Sequence, residues 1–154
     1  MATHTATIRW SASPGEDYAK GRYSRAHSWS FDGGASVPAS ASPHIVPAPW
    51  SDAAAVDPEE AFIASLASCH MLFFLDFARR AGVAMTSYED EAEGVMEKGG
   101  DGRTRITKVT LRPQIAFEGG PPDAATLDAL HHKAHEACFI ANSVTSDIVI
   151  APRG

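Results

Sequence analysis

The segment from Asp57 to Gly82 constrains this chain more than any other. It opens Asp57-Pro58-Glu59-Glu60 and continues Ala61-Phe-Ile-Ala-Ser-Leu-Ala-Ser-Cys69-His70 into an apolar run that ends at Phe77. Asp57 suits a helix cap, and Pro58 fits the first helical position, where its missing N–H would be unpaired anyway. Glu60 completes an Asp-x-x-Glu capping box. Phe62, Leu66, Cys69/His70, Phe73 and Phe77 fall on one face, and Ile63, Leu72, Phe74 and Leu75 widen it. Gly82, after Arg79 and Arg80, supplies a C-terminal stop. The spacing predicts a helix over 57–81, about 36 Å long. It is apolar over too much of its circumference for a surface helix, so it is expected to run through the middle of the fold. Ser65, Ser68, His70 and Asp76 interrupt the run and argue against a membrane span.

The flanking segments suggest what covers this helix. Residues 1–36 alternate like strands in Thr5–Trp10 and Tyr23–Phe31, closed by the turn signal Asp32-Gly33-Gly34. Residues 37–56 carry Pro38, Pro43, Pro47 and Pro49, which exclude a helix or a central strand and predict a loop. Residues 83–118 read as a long hairpin around Gly99-Gly-Asp-Gly102, with Glu89, Glu91 and Glu93 alternating on a solvated face. Pro121-Pro122-Asp123 starts a second helix over 122–141, with Leu127, Leu130, Ala134 and Ala137/Cys138 in one stripe. A last strand covers 144–150. The order predicts one α+β domain spanning 1–154, a mostly antiparallel sheet wrapped on a long central apolar helix with a second helix beside it.

Composition narrows the function classes. A net charge of -6 without a Lys/Arg cluster argues against a nucleic-acid partner. Met1–Trp10 has neither a basic nor an apolar stretch, so no signal peptide is expected, and the chain is expected in the cytoplasm with no membrane partner. In that reducing compartment a disulfide is more often catalytic than structural.

The two cysteines, Cys69 and Cys138, are the most direct route to chemistry. A thiol attacks only as thiolate, and a free cysteine near pKa 8.5 is mostly protonated at neutral pH. Late in a helix the backbone dipole opposes the thiolate, so activation must come from elsewhere, with Arg22 and Arg25 as candidates. On the residues alone, two inert buried thiols are the favoured reading, since unpaired cysteines are commonly buried and unreactive.

The run from Asp57-Pro58-Glu59 to Cys69-His70 resembles the motif of the OsmC/Ohr family, the osmotically induced and organic hydroperoxide resistance proteins. Ala134-His135-Glu136-Ala137-Cys138 resembles that family's second cysteine motif, and Arg25 with Phe31-Asp32-Gly33 resembles its arginine-bearing N-terminal hairpin. The resemblance implies an OsmC-like fold and a thiol-dependent peroxidase with no metal or prosthetic group. It makes Cys69 the peroxidatic thiolate, Cys138 the resolving thiol, and Arg25 with Glu59 the activating ion pair. The implied partners are an organic hydroperoxide, a thiol or dithiol reductant, and a second copy of the chain in a homodimer with the site at the interface. Ten residues along a helix is about 15 Å. Glu59 therefore acts either from a separate first turn or across a subunit interface. The chain departs from the better-known pattern at His70 and at Phe139-Ile-Ala-Asn142, which follow the two cysteines.

Rival readings use other residues. His131, His132 and His135, with Cys138 or His70, are candidate metal ligands, and Cys69 with a histidine could form an acyl-transfer pair. A non-catalytic OsmC-like domain could bind an apolar small molecule in a groove lined by Trp10, Trp29 and Trp50, or be purely structural.

Overall fold

A computed structural model describes residues 1–153, which fall into two compact units, one ending at Ala61 and the other beginning at Phe62. In the first unit, β1 (Ala6–Arg9), β2 (His27–Phe31) and β3 (Ser36–Ala39) form an antiparallel sheet in that order. The Asp32-Gly33-Gly34 turn joins β2 to β3, and Gly34 takes φ +87°, a left-handed backbone that glycine adopts without steric cost. β2 starts at His27, four residues later than the pattern suggested. The preceding amides are engaged elsewhere: Ser24 N–H donates to Glu16 Oε1 at 2.9 Å and Arg25 N–H to the Trp50 carbonyl at 2.9 Å.

The Pro-rich segment contributes Pro38 to β3 instead of being loop throughout. β3 is an edge strand, the position where a missing N–H is tolerated. Residues 40–56 form successive turns tied down by buried hydroxyls. Ser40 Oγ accepts Asp52 N–H at 3.0 Å, Ser42 Oγ accepts His44 N–H at 3.3 Å, and Val56 N–H donates to the Pro38 carbonyl at 3.1 Å. The tryptophans have separate duties. Trp10 packs with Tyr18 and Tyr23 and donates to the Ser24 carbonyl, whereas Trp29 donates to His27 Nε2.

α1 (Pro58–Arg80) begins with the expected capping box: Glu60 N–H donates to Asp57 Oδ1 at 2.8 Å and Asp57 N–H to Glu60 Oε2 at 3.1 Å. It runs unbroken to a stop at Gly82, φ +74°. Its length and composition would suffice to cross a bilayer. Yet the stripe Leu66, His70, Phe74 and Ala78 is buried against protein. Leu72, on another side, is 60% exposed. The chain by itself therefore covers one side of α1, and not all of it as the apolar circumference suggested.

In the second unit the hairpin tip lies where glycine spacing put it, between β5 (Glu93–Lys98) and β6 (Thr104–Leu111). Each long strand is broken once, however. β4 (Met85–Asp90) pairs with β7 (Pro113–Phe117), while β5 and β6 join β8 (Asp147–Ile150) in a second sheet with β8 parallel to β6. At the break, Arg112 N–H donates to Asp90 Oδ1 at 2.6 Å, and Pro113, which has no N–H to give, follows it. Glu89, Glu91 and Glu93 face solvent and pair with Arg153 and Arg112.

α2 (Ala124–Ala137) is capped by Asp123, which accepts Thr126 N–H at 2.8 Å. It ends four residues short of the predicted 141. Cys138 leaves helical backbone at ψ 111°, and Asn142 Nδ2 donates to the Glu136 carbonyl, one of those orphaned at the helix end. Two cores result. Leu66, Val109 and Leu111 pack the first half of α1 against β6. Phe74, Ala78, Leu130 and Ala134 pack its second half against α2, with β4 and β7 alongside. Gly94 on β5 permits close approach to α1, since a Cβ there would meet Ile63 Cδ1 at 2.5 Å.

Candidate active site

The second unit brings Cys69 and Cys138 together. Cys69 lies midway along α1 and is half-buried, while Cys138 caps α2 and is 1% exposed; neither is in a disulfide. The two thiols are near enough for Cys69 to bear on the ionisation of Cys138. Burial pushes the Cys138 thiol up to about 11, the Ala141 N–H partly opposes this, and the neighbouring Cys69 raises it further. Cys138 is thus protonated at neutral pH. Its sulfur accepts Ala141 N–H at 3.4 Å. That amide is presented by the turn Phe139–Asn142, in which Asn142 N–H donates to the Cys138 carbonyl at 3.0 Å. The flank that departs from the familiar motif is therefore what seats the second thiol.

Cys69 opens into a cavity of about 270 Å³ lined by Leu72, Phe73, Asp76 and Phe139. Phe73 and Phe139 meet edge to face with centroids 5.0 Å apart. Asp76 is held below the usual carboxylate range, first by its hydrogen bond from Arg79 and then by Arg80. The lining is thus apolar with one anionic group. Phe139, 71% exposed, leaves the cavity open on one side.

Arg25 and Glu59 belong to the other unit. Arg25 Nη1 donates to the carbonyls of Gly21 at 3.0 Å and Tyr23 at 2.6 Å, and its guanidinium lies 3.7 Å above the Tyr23 ring. Glu59 sits in the first turn of α1. Among the described residues the two make no ion pair with each other. Because α1 is continuous, the separate first turn that would free Glu59 from its helix does not occur. Arg22 is exposed and bridges to Asp17 through the backbone.

The histidines arrange themselves otherwise than as a metal site. His132 pairs with Glu136 on the surface at 3.3 Å, and among the described residues no three potential ligands converge. His70 and His131 instead face each other in the interior, Nε2 to Nδ1 3.1 Å apart. This pair was missed, although its signal was present: His70 continues the i, i+4 stripe of Leu66 and Phe74, and His131 neighbours Leu130 and Ala134.

The comparisons agree with the architecture. The family model described as OsmC-like protein matches residues 51–153. An OsmC-like protein of unknown function from Vibrio cholerae is 49% identical, with a TM-score of 0.97 over 99% of this chain and 100% of that one. The organic hydroperoxide resistance protein OsmC of Legionella pneumophila is 18% identical, TM-score 0.70, with both chains fully covered. The organic hydroperoxide resistance protein OhrB of Bacillus subtilis is 21% identical, TM-score 0.67, covering 99% of this chain and 98% of its own. These last two share the fold. No functionally curated protein matches the chain. With residues 51–153 matched by that family model, the chain belongs to the OsmC-like protein family.

Proposed function

We propose that the protein is a thiol peroxidase that reduces organic hydroperoxides to alcohols. The observation that carries this reading is the placement of Cys69, open to an apolar cavity and beside a buried, protonated Cys138. The Cys69 thiolate attacks the distal peroxide oxygen. The O–O bond breaks, the alkoxide takes a proton and leaves as alcohol, and Cys69 becomes a sulfenic acid. Cys138 gives up its proton and attacks the sulfenic sulfur as thiolate; the S–O bond breaks, and the hydroxyl takes that proton and leaves as water. An external thiol or dithiol reduces the disulfide by exchange and is itself oxidised. No metal or cofactor is required.

In this reading Arg25 assists the thiolate and Glu59 orients the guanidinium, roles taken from the motif resemblance. A homodimer is part of the proposal, because the exposed Leu72 and Phe139 leave an apolar face that a second copy would cover. Glu59 would then act across the interface. The cytoplasm, where thiol reductants are abundant, is the proposed compartment.

The test is mass spectrometry of the reduced protein after one equivalent of cumene hydroperoxide. A Cys69–Cys138 disulfide, two hydrogens lighter, is the expected product. Thiols left unchanged, or sulfonic acid appearing only at high peroxide, would sink the mechanism.

A further inference from the structure

The helices that carry the two thiols are joined by one buried polar contact. His70 follows Cys69 on α1, and His131 lies on α2, seven residues before Cys138. Their facing nitrogens, His70 Nε2 and His131 Nδ1, are 3.1 Å apart, the rings are within 9° of parallel, and the residues are 1% and 4% exposed. The Phe74 ring packs on His131 with centroids 4.3 Å apart. Burial holds both imidazoles down to about 4. The ionisable groups that bear on them are His135 and Asp128, both on α2. Each ring is therefore neutral at physiological pH, and one donates an N–H to the other's lone pair.

An apolar pair would fill this place at lower cost, as Leu66 and Phe74 do one turn to either side on the same stripe. The outer nitrogens, His70 Nδ1 and His131 Nε2, are buried without a protein partner, and desolvating them is unfavourable. What the imidazoles add is direction. Apolar surfaces can slide over one another, whereas an N–H···N bond has a set length and angle. Two helices so joined keep their spacing and register, and both thiols depend on that register.

We propose that the His70–His131 hydrogen bond positions the resolving thiol, by fixing α2 against α1 so that Cys138 stays within reach of Cys69. The two histidines are positioning residues that act through the helix backbones. The inference rests on the peroxidase reading for its biological purpose, but the geometry it asserts is testable without peroxide.

The experiment uses four polar variants of the full chain. A glutamine amide extends to the Nε2 position and an asparagine amide to the Nδ1 position. His70→Gln and His131→Asn therefore keep a polar atom where the bond is made, while His70→Asn and His131→Gln misplace it. Each is equilibrated in a glutathione redox buffer, and the equilibrium constant for the Cys69–Cys138 disulfide is measured. The misplaced variants are expected to fall roughly tenfold, the scale of one lost buried hydrogen bond; the matched variants are expected to stay within about threefold. With cumene hydroperoxide, the ratio of disulfide formation to Cys69 oxidation should follow the same pattern. Equal values in matched and misplaced variants, whether all high or all low, would overturn the proposal. If wild-type Cys69 ignores peroxide while glutathione still separates the two classes, the peroxidase reading falls and the positioning role stands. If peroxide is reduced but glutathione shows no separation, only the positioning role falls.

Discussion

Cys138 keeps its proton beside Cys69 while its sulfur accepts the Ala141 amide at 3.4 Å. The two thiols are thus unequal before any chemistry begins. One is buried and protonated, and the other opens to a cavity. A resolving thiol that keeps its proton can hand it to the departing hydroxyl when the disulfide forms.

That inequality predicts distinct defects for the two serine variants. Cys69→Ser should abolish peroxide consumption with dithiothreitol or dihydrolipoamide as donor. Cys138→Ser should complete one turnover and then stall or climb to the sulfinic acid. Sustained turnover in Cys138→Ser, followed by peroxide consumption, would show that an external thiol resolves the intermediate instead.

Alkylation should discriminate between the same thiols. Iodoacetamide at pH 7.5 is expected to modify Cys69 alone, because Cys138 is 1% exposed and pushed up to about 11. Denaturant should release Cys138 to react. Arg25→Ala should slow Cys69 alkylation about tenfold if Arg25 assists the thiolate; an unchanged rate would move that role to Arg22 or elsewhere.

The buried histidines make stability depend on pH in a definite direction. Both His70 and His131 are lowered from 6.5 to about 4 in the fold. Between these values the unfolded chain binds protons that the folded chain refuses, so stability rises with pH. It is fully present above about 6.5 and lost as pH falls toward 4, with a slope of roughly 1–3 kcal/mol per pH unit. Urea titrations at pH 4.5, 5.5 and 6.5 would measure it, and His70→Leu should flatten the slope. Equal stability at all three pH values would contradict the assignment.

Asp57→Ala removes one arm of the capping box and strands the Glu60 amide. The expected cost is about 1 kcal/mol, seen as a melting temperature lower by roughly 2–4 °C. Asp57→Ser, which retains an acceptor, should recover most of it.

Leu72→Lys places a charge on the exposed apolar side of α1. It should shift a homodimer toward monomer in sedimentation velocity with little change in the secondary structure of the chain. A wild-type chain that sediments as a monomer at micromolar concentration would remove the dimer from the proposal.

Much of the fold was legible because its signals are short-ranged. The Asp57–Glu60 box, the Gly82 stop, the Asp123 cap and the glycine turns at 33–34 and 99–102 act within a few residues, so the residues alone disclose them. The misses come from side-chain hydrogen bonds to the backbone that span six and 22 positions. The 83–118 hairpin divides between two sheets because Asp90 reaches the Arg112 amide 22 positions away. α2 stops early because Asn142 folds back on Glu136. Neither bond leaves a periodic trace.

The site divides along the same line. Cys69 and Cys138 could be named as candidates from their motifs, and so could the helices that carry them. That they lie near each other, that Cys138 is the protonated partner, and that Cys69 opens to a cavity lined by Phe73 and Phe139 are consequences of packing between α1 and the end of α2. The His70–His131 bond spans 61 positions and was invisible until those helices met. Helix propensity and capping are properties of a few consecutive residues. The state of a thiol depends on its burial and on which neighbour supplies a hydrogen bond, and only the folded chain brings those neighbours together.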